Sequence, residues 1–211
     1  MMNVLYIHGM GGGADSRIPS ILSEQLTRYG VRVIVRTYDF DPEVAAGQIA
    51  GWVEQTKPLL ILGESLGSLQ ALRIKGIPHL FVSPALNTSF YFELLAWMSL
   101  IPGVTKIFDR IYKPREGDRQ PLHFTYPVLR KYMPHRRMAL QNSKLQGSND
   151  LFYAFFGIHD HYRKRGIVSI RTWKKYFGDT YSIYDGTHFM EEEYVRSVLV
   201  QKVLEILHIS I

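Results

Sequence analysis

No cysteine occurs anywhere in the 211 residues. This absence excludes a disulfide scaffold, a cysteine nucleophile and thiolate-bound zinc, and it is compatible with a reducing compartment. Long apolar runs are also missing. The longest, Phe90 to Val104, is broken by Glu93 and falls short of the roughly 20 residues that span a bilayer. At the N-terminus the apolar stretch Asn3–Ile7 passes straight into a glycine-rich loop, and no basic region precedes it. No signal peptide is therefore expected. These absences lead to the expectation of a soluble, cytoplasmic protein without a membrane span.

Charge is unbalanced, with 25 Lys and Arg against 19 Asp and Glu, a formal +6. Basic clusters stand at Arg130-Lys131, His135-Arg136-Arg137 and Arg163-Lys164-Arg165. Such clusters bind phosphates, but solvated helix faces and loops carry them more often. No nucleic-acid motif accompanies them, so no nucleic-acid partner is expected. What the chain does have is core material: 46% hydrophobic residues, 13 Tyr and 11 Phe. That supports one substantial core and argues against disorder.

Short apolar runs alternate with amphipathic ones. Strands are expected at Asn3–Ile7, Val31–Tyr38, Leu59–Leu62, His79–Val82, Leu151–Phe156 and Thr180–Tyr184. Helices are expected at Pro19–Tyr29, Pro42–Lys57, Leu66–Lys75, Ile167–Tyr176 and Glu191–His208. This alternation predicts an α/β fold with a doubly wound, mainly parallel sheet of about six strands. It breaks between about 87 and 149, a stretch with no clear strand, rich in aromatics and punctuated by Pro102, Pro114, Pro121, Pro127 and Pro134. We read that stretch as a helical cap inserted into a single domain. Phe90, Trp97 and Met98, with Tyr91, Phe92 and Leu94, are candidates to line a substrate pocket, or equally the stripe of a core-facing helix.

Gly63-Glu64-Ser65-Leu66-Gly67 lies between an expected strand and an expected helix. In that context Gly-x-Ser-x-Gly holds a serine on a strained turn with its hydroxyl projecting above the sheet edge, and bulkier flanking residues would strike neighbouring backbone. Ser65 is accordingly the candidate nucleophile. The N–H of the following residue, Leu66, is a candidate donor to developing negative charge.

Three segments together resemble the α/β-hydrolase family: Tyr6-Ile7-His8-Gly9-Met10-Gly11-Gly12-Gly13, the pentapeptide at Ser65, and the late pair Gly157-Ile158-His159-Asp160 and Gly186-Thr187-His188. The resemblance covers nearly the whole chain outside the insertion. It is strongest to small bacterial serine esterase-like members that lack the family's first two strands. It implies a site at the carboxyl ends of the strands, a structural role for His8, and the Met10 N–H as second oxyanion donor.

Of eight histidines, His188 is the candidate base, because it follows the last strand and precedes the final helix. Asp160 is the candidate acid, since it follows a strand and keeps the order Ser, Asp, His. Asp185, three residues from His188, is more readily a turn residue, and Asp150 precedes its strand. The glycines at 9 to 13 lack the Gly-Lys-Ser/Thr sequel of a phosphate loop. The reading is hydrolysis of a small-molecule carboxylic ester through an acyl-enzyme, without metal or organic cofactor. Thioester or amide cleavage, and a non-catalytic binding protein on the same fold, remain the alternatives. The oligomeric state is left open.

Overall fold

The computed structural model describes residues 1–113, 117–145 and 151–209. Pro114, Asp150 and residues 146–149 of the expected insertion lie outside them. Six strands form one sheet: β1 (Met2–Ile7), β2 (Val31–Val35), β3 (Leu60–Glu64), β4 (His79–Val82), β5 (Phe152–Gly157) and β6 (Tyr181–Tyr184). Their order is β2-β1-β3-β4-β5-β6, and every neighbouring pair is parallel. The expected α/β class and parallel sheet are therefore observed.

Parallel strands with helices on both faces must be apolar on both faces. Val4, Tyr6, Leu60, Leu62, Leu80 and Phe155 pack towards α1 (Arg17–Leu26) and the C-terminal helix. The alternate residues Leu5, Ile7, Ile61, Phe81, Ala154 and Phe156 share the other core with α2 (Pro42–Thr56), α3 (Gly67–Ala71), α6 (Tyr126–Leu145) and α8 (Ile170–Phe177). The start of α2 is set by Asp41, whose carboxylate accepts the Glu43 N–H at 3.0 Å, with Pro42 in the first turn.

Element ends depart from expectation where side chains intervene. The second strand stops at Val35 instead of Tyr38, because Tyr38 turns into the core and its hydroxyl donates to the His8 carbonyl at 2.5 Å. Helix α3 ends at Ala71, short of Lys75. The His79 imidazole sits 3.0 Å from the Ala71 carbonyl, and tighter turns from Gln70 and Ala71 follow.

Between β4 and β5 come α4 (Thr88–Met98), α5 (Val104–Ile111) and the 20-residue α6. Pro134 falls inside α6, where a proline costs about 3 kcal/mol. Burial of Leu129, Tyr132, Ala139 and Leu140 on one helix face offsets that cost. The Tyr132 hydroxyl also donates to the Phe40 carbonyl at 2.6 Å. Helix α6 touches α2, α3 and α8 and so belongs to the helical layer on that face of the sheet. Among the described residues, no helix is long and apolar enough to cross a membrane.

Three of the four histidines buried among the described residues have depressed basicity. Burial holds His8, His79 and His135 down from the ordinary 6.5 to about 4. In the unfolded chain each takes up a proton near pH 6.5, whereas the folded chain resists until about pH 4. The unfolded state binds more protons across that window, so stability is full above it and falls as pH drops through it. Urea melts are expected to show a protein several kcal/mol less stable at about pH 5 than at about pH 7, and His79→Phe is expected to reduce that difference.

Candidate active site

Strand β3 delivers Ser65 to the carboxyl edge of the sheet. Its φ is 49°, in the left-handed region, which a non-glycine residue occupies at a cost of order 1–3 kcal/mol. Two bonds maintain it: the Ser65 N–H donates to the Val82 carbonyl at 3.0 Å, and the Ser65 carbonyl accepts the Ala85 N–H at 3.0 Å. The turn closes because Gly67 is glycine. A Cβ there would lie 2.3 Å from the His8 carbonyl oxygen and 2.4 Å from that of Ile7.

His188 follows β6 through Asp185-Gly186-Thr187. The Tyr184 hydroxyl donates to the Thr187 carbonyl at 2.6 Å, and the Glu191 carboxylate accepts the Thr187 N–H at 3.0 Å. From α1, Arg17 donates to the carbonyls of Phe189 and Met190. The loop can lie against β5 because Gly157 has no side chain; a Cβ there would come within 2.4 Å of the Gly186 and Thr187 carbonyls. Asp160 opens α7 (His161–Lys164), and its Oδ1 accepts the Tyr162 N–H at 2.8 Å.

These loops bring three side chains together. His188 Nδ1 lies 2.8 Å from Asp160 Oδ2, and His188 Nε2 lies 2.8 Å from Ser65 Oγ. Asp160 and His188 are both buried. A carboxylate only accepts, so it draws the proton to Nδ1 and leaves Nε2 free to accept from the serine hydroxyl. The Tyr162 ring packs 4.5 Å from the imidazole, and the Phe189 ring meets it edge-on at 5.0 Å. Asp185 instead pairs with His159 at 2.9 Å in an exposed position.

The loop after β1 lies directly beside the serine: a Cβ on Gly9 would stand 3.1 Å from Ser65 Cβ. His8 is buried behind it, stacked on Tyr38 at 4.4 Å, with Nδ1 2.8 Å from the Gly9 carbonyl. The N–H groups of Met10 and Leu66 have no hydrogen-bond acceptor among the described residues. A strap of chain crosses this loop, and the sequence carried no sign of it. The Gln120 N–H donates to the Gly12 carbonyl at 2.8 Å, its Oε1 accepts the Gly11 N–H at 3.1 Å, and its Nε2 donates to the Asp39 carbonyl at 3.3 Å. Gln120 is buried. Its significance comes from a contact across 109 positions, which no local pattern encodes.

Phe90, Trp97 and Met98 are exposed on α4, whose buried face carries Phe92 and Ala96. Phe90 lies under the Arg136 guanidinium, and Trp97 lies against Tyr126 and Arg130. Arg136, expected in a solvated cluster, is half-buried; it donates to the Leu86 carbonyl at 2.6 Å and to Asn87 Oδ1 at 2.9 Å. It braces the turn after β4. Among the described residues, no group of three or more His, Asp or Glu side chains is placed to hold a metal ion.

No protein-family model and no curated protein matches the sequence. Solved structures do match. A carboxylesterase structure from Nitrososphaera gargenis superposes with a TM-score of 0.58 at 12% identity, covering 98% of this chain and 91% of that one. Est1E from Butyrivibrio proteoclasticus with bound ferulic acid gives 0.63 at 15%, covering 99% and 90%. Tomato methylketone synthase I with β-ketoheptanoate gives 0.65 at 10%, covering 98% of both chains. The chain has the α/β-hydrolase fold.

The glycine contacts yield a direct test. Gly67→Ala is expected to lower stability by about 2–3 kcal/mol through overlap with β1 carbonyls. Gly47→Ala, where a Cβ on α2 meets nothing within 4 Å, is expected to raise it by up to about 1 kcal/mol. Paired denaturant titrations read both.

Proposed function

We propose that the protein is a serine hydrolase of carboxylic esters, with Ser65 as nucleophile, His188 as general base and acid, and Asp160 as its orienting partner. The observation that carries this reading is the continuous chain of 2.8 Å contacts from Ser65 Oγ through both imidazole nitrogens to Asp160. Solved esterase structures of the same fold support the coarser reading, a hydrolase.

In the first step Ser65 Oγ attacks the carbonyl carbon as its proton passes to His188 Nε2. Asp160 stabilises the resulting imidazolium without taking the proton. Negative charge then develops on the carbonyl oxygen, and the free N–H groups of Met10 and Leu66 are suited to receive it. Such donors contribute several kcal/mol because they are oriented before the reaction begins. The tetrahedral species collapses, His188 protonates the departing alcohol, and the acyl group stays on Ser65. Water activated by His188 reverses these steps and releases the acid. In this reading α4 and α5 form the cap of the site.

Ser65→Ala is expected to abolish fluorophosphonate labelling and to lower turnover of short acyl esters by about ten-thousand-fold or more. Asp160→Asn is expected to cost a similar factor, because it favours the wrong tautomer of His188. Full turnover by folded Ser65→Ala protein would sink the proposal.

Gln120 touches no reacting atom, so its role is positioning the Gly9–Gly13 loop. Gln120→Ala is expected to lower kcat about tenfold or more with KM nearly unchanged, since a donor displaced by about 1 Å loses transition-state contact first. Steady-state kinetics with Gln120→Glu alongside tests this: the carboxylate keeps the acceptor for the Gly11 N–H and should retain more of kcat than alanine.

A further inference from the structure

Helices α4 and α5 turn their aromatic sides inward on one ring. Phe92 and Phe108 both pack against Phe124, at 6.1 Å and 5.8 Å between centroids. Leu94 and Trp97 on α4, Leu100 and Ile101 in the connecting turn, and Ile107 and Ile111 on α5 are all more than half exposed. The spacing 94, 97 on α4 and 107, 111 on α5 keeps each pair on one helix face, and Leu100 and Ile101 lie in the turn between the two helices. Single exposed apolar side chains are ordinary, but six more than half exposed between Leu94 and Ile111 point to an interaction surface.

Charge identifies what that surface fits. Lys106 and Arg110 are exposed on α5 in the same turns as Ile107 and Ile111. Arg130 lies 5.7 Å from the Trp97 ring and pairs with Glu93 of α4, and Asp109 is the one carboxylate on α5. Residues 87–145 hold ten Lys or Arg against four Asp or Glu, and residues 161–178 hold six against none. The positive surplus of the chain is thus concentrated in the segments that carry and adjoin the patch. A hydrophobic helix face with tryptophan and flanking cations matches the boundary layer of an anionic bilayer: apolar side chains enter the acyl region while Lys and Arg meet lipid phosphates. A second copy of the chain would bring the same positive sign to the contact, which opposes self-association through this face.

We propose that the α4–α5 face docks the protein peripherally on anionic phospholipid surfaces, independently of the chemistry at Ser65. The test is flotation of the full chain with vesicles of phosphatidylcholine alone and of phosphatidylcholine mixed with phosphatidylglycerol. Light scattering of the free protein runs in parallel. Partitioning onto the phosphatidylglycerol vesicles is expected to exceed that onto phosphatidylcholine by about tenfold and to weaken as salt is raised. The double variant Leu94→Asp with Trp97→Asp is expected to lose about tenfold or more of that partitioning. The milder pair Lys106→Gln with Arg110→Gln, which leaves the apolar face intact, is expected to lose several-fold. Leu59→Asp, an equally exposed apolar site at the opposite edge of the sheet, is expected to change nothing, and thermal melts establish that each variant is folded. The proposal is overturned by equal partitioning onto both vesicle types, or by binding that survives the aspartates. A dimer in solution that the same aspartates dissociate would overturn it too, because the face would then belong to a second copy.

Discussion

Ser65 is held in a backbone conformation that its side chain disfavours, and the surrounding site is arranged around that constraint. The β3–β4 ladder reaches one residue past the strand to take its N–H, and the turn after β4 returns through Ala85 to take its carbonyl. With the residue pinned from both sides, its hydroxyl is directed away from the sheet. It meets an imidazole that arrives on the loop after β6, three strands further along the sheet. A parallel sheet favours this meeting, because all its strand ends with the same polarity lie along one edge.

Long-range braces then set the loops at that edge. Arg17 ties the segment after His188 to α1, Gln120 ties the glycine loop to the strap, and Arg136 ties α6 to the turn following β4. Each uses a side chain to satisfy backbone carbonyls or N–H groups that the loop geometry leaves without partners. The electrostatic consequence differs from one to the next. Arg136 gives up hydration to become structural, whereas Lys106 and Arg110 on α5 remain exposed.

Much of the fold was legible because burial on both faces leaves a clear trace. Strands such as His79–Val82 carry an uninterrupted apolar run, here Leu80-Phe81-Val82, and apart from the end of β2 their boundaries could be read to within a residue or two. Helix α6 was not legible as one element. Its prolines and basic residues suggested breaks, yet Leu129, Tyr132, Ala139 and Leu140 share a helical face that packing makes decisive. The length of α3 depended on a histidine eight positions away. At the site, the turn type around Ser65 and the strand-end positions of Asp160 and His188 could be read locally. Which face of α4 is buried could not, because a helix this apolar, with Phe92 and Ala96 set among Phe90, Trp97 and Met98, offers two inner faces.

By itself the sequence determined what short-range sterics and periodicity control: a parallel α/β sheet, a serine on a tight strand-to-helix turn, and the order of the groups that follow it. Tertiary structure alone decided which donors stay unpaired beside Ser65, which cations become braces and which apolar face meets solvent. Those outcomes depend on contacts between residues tens to more than a hundred positions apart, such as Gln120 with Gly11. The identity of a residue says what it can bond to, and only the folded chain says which partner reaches it.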